Sequence, residues 1–108
     1  MANSPYLIFE GFLSNVEGNL GAVLPPGSTY ILKEVIIKNT GAGVNRAQIG
    51  TDTLALEPVV DENLPATGTA GNWMSLPFST VYAAATQFRG VATTNNEVYA
   101  RISAQRVT

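Results

Sequence analysis

The side chains able to do chemistry in this 108-residue chain are few, and their spacing works against catalysis. Histidine and cysteine are both absent. That removes Ser-His-Asp and Cys-His nucleophile systems, thiolate chemistry, disulfides and zinc–sulfur sites together. What is left is carboxylate. Asp61 and Glu62 are adjacent, with Asp52 and Glu57 a few residues before them. A glycoside hydrolase needs two carboxyls a set distance apart, one in a desolvating environment. Adjacent residues at a strand end point to opposite faces, so Asp61 and Glu62 are badly placed for that role. They are expected to be solvated charges at the mouth of a loop. The "DEN" at 61–63, with Asp52, could offer oxygens to calcium, but that ion takes six to eight and no EF-hand spacing is present. No metal or cofactor site is expected. "GAG" at 41–43 lacks the Lys-Ser/Thr and helix of a phosphate loop and reads as a turn.

Recognition residues are the other class worth locating. Tyr6, Trp73, Tyr82 and Tyr99 could stack on sugars, although a lone Trp between Asn72 and Met74 also suits a core or an interface. Arg89 and Arg101 could meet a partner's carboxylates. As partner-contacting residues we single out Tyr6, Phe9, Trp73, Tyr82 and Arg89. The six Lys and Arg are dispersed and the formal net charge is -2, so a phosphate-binding face and nucleic acid are not expected. Only 13% of residues are charged, about half the usual share, against 45% hydrophobic. Surfaces must therefore be built largely from Ala, Thr, Val and Asn. Surfaces depleted in charge suit lasting contact with other protein.

These residues need elements to hold them, and the strand signals are strong. Tyr6–Leu13 is apolar on both parities apart from Glu10 and Gly11, as a strand covered on both sides would be. Leu20–Leu24 is a short second run, ended by Pro25-Pro26-Gly27, where the chain must turn. Tyr30–Asn39 follows. Ile31, Val35 and Ile37 share one parity, interrupted by Lys33, and that face is expected to be core. A helix is the rival reading, disfavoured by Val35-Ile36-Ile37 and by the nearby Gly41 and Gly43. Thr40–Gly43 reads as a hairpin connection to a strand over 44–50. A weaker strand spans Leu54–Val60, demoted to an edge by Pro58. Asp61–Asn72 reads as one long loop. Trp73–Phe78 and Val81–Thr93 resume strand character. Glu97–Val107 alternates most cleanly, with Val98, Ala100, Ile102 and Ala104 expected inward. Thr93–Asn96 before it reads as a hairpin turn.

The total is seven or eight strands with turns at roughly ten-residue intervals. This predicts an all-β fold, an antiparallel β-sandwich of jelly-roll-like type, forming a single domain over residues 1–108. The start, "MANSPYLIFEGFL", has no positive leader and Glu10 breaks its apolar run, so no signal peptide is expected. The longest apolar run, Val81–Ala85, is far below the ~20 residues a membrane helix needs. A soluble protein made in the cytoplasm, with no membrane partner, is the expectation.

"LPPGSTYILKEVIIKNTGAGVNRAQIG" at 24–50 combines a Pro-Gly bend, an aliphatic strand ending in Asn-Thr, a Gly turn and a strand ending in Ile-Gly. With the closing "NEVYARISAQRV" at 96–107, this resembles the jelly-roll decoration, or cement, proteins of tailed-phage capsids and related small phage virion sandwiches. The resemblance covers about a third of the chain. It implies a structural virion protein on the capsid surface, a homo-oligomer (dimer or trimer) that bridges neighbouring copies of the major capsid protein. A phage tail or fibre module that binds a receptor or carbohydrate is the alternative, and a host-side adhesion module a third. No long arm is present, so a far-reaching clamp is not expected.

Overall fold

Ten-residue runs of β-branched and aromatic side chains, cut by Gly and Pro, leave this chain nowhere to place a helix, and it forms none among the described residues. The computed structural model describes residues 3–51 and 58–108. Nine strands follow one another: β1 (Asn3–Phe12), β2 (Gly18–Asn19), β3 (Thr29–Asn39), β4 (Asn45–Thr51), β5 (Pro58–Leu64), β6 (Trp73–Pro77), β7 (Val81–Tyr82), β8 (Phe88–Ala92) and β9 (Val98–Val107). One sheet has the order β1-β9-β3-β6, with β7 also pairing β3; the other has the order β2-β8-β4-β5. Every pairing is antiparallel. β6 and β7 are two halves of one edge strand, interrupted after Pro77, so eight strands wind between two sheets as a jelly roll.

The sandwich core is filled from both sheets: Tyr30, Leu32, Val35, Ile37 and Ile102 from one, Ile49, Leu64 and Phe88 from the other, all essentially inaccessible. Val98, Ala100, Ile102 and Ala104 all point inward, as their alternation predicts. β3 departs from expectation. Its register with β9 jumps between Leu32 and Glu34, leaving Lys33 as an extra, exposed residue. A bulge of this kind exchanges the two faces of a strand. Tyr30 and Leu32 are therefore buried before it, and Val35 and Ile37 after it, whereas Ile31 lies on the outer face. A matching jump between Leu7 and Phe9 makes Ile8 the extra residue of β1. Both bulges lie beside Ser103, so β9 runs straight between two strands that bend at the same level.

Four further expectations are corrected. Thr40–Gly43 and Thr93–Asn96 are not hairpins: each carries the chain from one sheet to the other. Asn96 does take the left-handed conformation, at φ 59°. Leu20 and Leu24 are buried, but only Gly18–Asn19 forms strand; the Leu20 N–H donates to the Phe88 carbonyl, and Leu24 donates to the Thr86 carbonyl and accepts from the Ala85 N–H. Asp61–Leu64 belongs to β5, so the loop spans only Pro65–Asn72. Val60 and Leu64, both buried, alternate with the polar residues there and hold them in extension. Of the expected strand over Leu54–Val60, residues 54–57 lie outside the described residues, as do Asp52 and Glu57. Finally, β1 is covered on one side only: Ile8 is buried while Leu7 and Phe12 are half-exposed.

One end of the sandwich is fixed by a buried amide. Asn39, fully buried at the close of β3, donates from Nδ2 to the carbonyls of Gly43 at 2.7 Å and Pro65 at 2.9 Å. Its Oδ1 accepts from the Gly41 N–H at 2.9 Å and from Asn45 Nδ2 at 3.0 Å. Asn45, equally buried, also bonds Glu97 and accepts from the Thr94 N–H. A Cβ at Gly41 would sit 1.9 Å from the Glu97 carboxylate, so a larger residue there would displace that side chain from Asn45. Three connections, 40–44, 65–72 and 93–97, are thus set relative to one another without a disulfide.

Candidate interaction surface

The two bulges let the outer face of the β1-β9-β3-β6 sheet present four aligned rows of side chains. Nearest the Asn39 end, Phe12, Tyr99, Lys38 and Trp73 stand side by side. Glu10, Arg101, Ile36 and Ser75 form the second row, and Leu7, Ser103, Glu34 and Pro77 the third. Pro5, Gln105, Ile31 and Val81 form the fourth. The large apolar members stay accessible: Trp73 is 57% exposed, Phe12 49%, Leu7 48% and Val81 62%. Phe12 and Tyr99 meet edge to face, with ring centroids 5.8 Å apart. A shallow hollow of about 340 Å³ opens between Pro5, Tyr6, Leu7, Arg101 and Ser103.

Five charged side chains stand on this face, the bases Lys33, Lys38 and Arg101 and the acids Glu10 and Glu34. Both acids accept from hydroxyls of the same face: Tyr99 donates to Glu10, and Ser75 donates to Glu34 at 2.5 Å. The bond to the Glu10 carboxylate holds the Tyr99 phenol above its ordinary pKa. Lys38 and Arg101 make no ion pair among the described residues. The face thus carries a slight excess of positive charge, and is aromatic at one end and hollowed at the other. No group of three His, Cys, Asp or Glu side chains comes together among the described residues.

The residues singled out from sequence do not gather in one place. Only Trp73 lies on this outer face. Tyr6, Phe9 and Tyr82 lie on inner faces at the margins of the sandwich, half-buried against the core. The Tyr6 ring packs on Tyr30 at 5.1 Å, and Tyr82 meets Phe88 edge to face at 5.1 Å; burial raises the Tyr82 pKa. Arg89 is on the other sheet, bridging to Glu17 at 2.8 Å. Phe12 and Leu7 were not among the expected contact residues, because their exposure depends on where the β1 bulge falls. Asp61 is not a loop charge. From β5 it accepts a two-pronged bond from Arg46 of β4, at 2.8 and 2.7 Å, which lowers its pKa. That pairing engages the carboxylate on which a calcium site would depend.

No family model matches the chain, and no curated protein matches it in sequence. Solved structures do match in fold. A subunit of Bacillus endospore appendages, which form disulfide-linked pili, aligns over 99% of this chain and 87% of its own at 13% identity, with a TM-score of 0.55. The VP2 protein of infectious bursal disease virus, in T=1 particles, aligns over 97% of this chain and 31% of its own at 14% identity, with a TM-score of 0.49. The Drosophila NLP core aligns over the full length of both chains at 9% identity, with a TM-score of 0.49. At such identities the likeness is one of fold. None of the three is a phage decoration protein.

Proposed function

We propose that this chain is a structural virion protein, a homo-oligomer that binds the outside of a phage capsid and ties neighbouring major capsid proteins together. The observation that carries this reading is the outer face of the β1-β9-β3-β6 sheet. Its exposed aromatic and aliphatic side chains form aligned rows, a composition that favours protein contact. The jelly-roll architecture and the resemblance over residues 24–50 and 96–107 support it. A prebuilt sandwich loses little conformational entropy on docking, so its contact energy goes into holding the shell. A subunit that binds only the assembled shell stabilises it by mass action. In this reading the protein is not an enzyme and takes no cofactor.

Co-sedimentation of the purified chain with capsid shells tests the proposal. Saturable binding to expanded shells, weaker to compact ones, is expected; absence of binding to either would overturn it. A fibre or receptor-binding subunit is the second reading, favoured by the exposed row of Phe12, Tyr99 and Trp73, which could receive a sugar ring. The fold likeness to a pilus subunit is compatible with it, but a chain of 108 residues without cysteine cannot make that pilus's disulfide links from these residues. Quenching of Trp73 fluorescence by an oligosaccharide panel, with no binding to shells, would favour the fibre.

A further inference from the structure

We infer that the shell surface meeting the β1-β9-β3-β6 sheet is acidic and seats a carboxylate on Lys38, with Arg101 as the second donor, which rests on the shell-contact reading proposed above. The cations of the chain are sorted by side. Off this face each is engaged: Arg46 bonds Asp61 at 2.7 Å, Arg89 bonds Glu17 at 2.8 Å, and Arg106 donates to Ser28 at 2.9 Å. On the face, Lys33, Lys38 and Arg101 are exposed and make no ion pair among the described residues. Its two acids are the reverse case, since Glu10 and Glu34 already accept from Tyr99 and Ser75. Positive charge left open on a chain of formal net charge -2 marks the side that approaches an acidic partner.

Burial makes the requirement strict. A docked face takes its charges out of water, and an ammonium or guanidinium without a counter-ion is then costly. Two acids cannot meet three bases, so at least one carboxylate has to come from the partner. Its seat follows from the register. Glu10 lies directly across from Arg101, and Glu34 is next to Lys33 in the chain. Lys38 has no such acid. Its cross-strand neighbours are Tyr99 and Trp73, Ile36 stands two residues before it on the same strand, and Arg101 and Ser75 lie on its diagonals. Glu97, on the remaining diagonal toward β9, is held by the buried Asn45 at 3.1 Å. Diagonal neighbours stand about 7–8 Å apart, a span over which a lysine and an arginine can converge on one carboxylate. Exposed Trp73, and Phe12 beyond Tyr99, flank the seat. Pressed against the shell, these rings exclude water and strengthen the ion pair they surround.

The test is charge reversal on one side and charge removal on the other, read as the affinity of the full chain for capsid shells in co-sedimentation. Lys38→Glu and Arg101→Glu should each weaken binding at least about tenfold. Asn63→Glu adds an acid to the exposed side of β5 in the other sheet and should leave affinity within about twofold, which separates the seat from net charge. Shells whose carboxylates have been amidated with carbodiimide and glycinamide, and which remain intact by electron microscopy, should lose the wild-type protein to the same degree. Melting curves confirm that each variant is folded; if a reversal is not, the amidated shells decide with wild type alone. Binding that either folded reversal leaves unchanged, or that amidation leaves unchanged, or that Asn63→Glu weakens as much as Lys38→Glu, would overturn the inference while the shell contact stands. Wild type that binds no shell at all removes the shell contact and this inference together.

Discussion

Asn39 does more for this fold than its place in the sequence suggests. It reads there as the polar end of a strand, yet one buried amide satisfies backbone groups from two connections and anchors a second buried Asn. Asn39→Ala would leave the buried Gly41 N–H without its acceptor and take away the donor of the Leu64, Gly43 and Pro65 carbonyls. We expect it to cost at least about 2–4 kcal/mol, measured by denaturant unfolding, with Asn39→Asp little better. Asp61 lies at the other extreme. Its pKa is lowered by Arg46, so its contribution is present above the unfolded value of about 3.9 and is lost as pH falls through the folded one. The pair is largely exposed, so the effect should be small. Asp61→Ala with Glu62→Ala should shift the melting temperature by a few degrees at most at pH 7, and should flatten the response to pH below about 4. Loss of stability on adding chelator to wild type would contradict this assignment. Sequence put Asp61 in a loop rather than in β5, because its partner Arg46 becomes a neighbour only once β4 and β5 pair.

At the scale of the element, the bulges decide what each strand shows. Period-two reading succeeds wherever the ladder is regular, and Val98–Ala104 is the example: all four expected residues are buried. It fails at Lys33, where one inserted residue exchanges the faces of β3. Lys33 was visible as an interruption; that the parity shifts there was not, because a bulge is fixed by both partner strands. The account separates neighbours sharply. Ile37→Asp and Leu32→Asn place polar groups in the closed core and should unfold the domain or cost more than about 3 kcal/mol. Ile31→Asn, on the outer face, should cost about 1 kcal/mol or less. Far-ultraviolet circular dichroism with thermal melts checks all three. A cooperative, undiminished Leu32→Asn would show that the core face is misplaced. The connections follow the same logic: Gly and Asn marked 40–43 and 93–96 as turns, but whether a turn returns within a sheet or crosses to the other depends on which strands lie beside it.

For the whole molecule, the strand count and class were legible because apolar runs and turn residues recur at regular intervals. The sheet order was not. β1 pairs with β9, joining residues 3 and 107, and no local signal announces a contact across the full chain. The outer face was missed for the same reason, since Phe12, Tyr99, Lys38 and Trp73 come from four distant segments. Absence of histidine and cysteine was plain from composition, and it turned attention to surfaces early.

Trp73 is the only tryptophan in the chain and stands 57% exposed on the proposed contact face, so its fluorescence reports on that face directly. Iodide quenching of the full-length protein, followed from sub-micromolar to about 100 µM and then with shells added, is the measurement that matters most. If this sheet is where the protein meets protein, quenching falls severalfold and the emission moves to the blue as association proceeds. Association, seen by sedimentation in the same samples, with Trp73 as open to iodide as in the dilute protein would mean that the molecule assembles through some other surface.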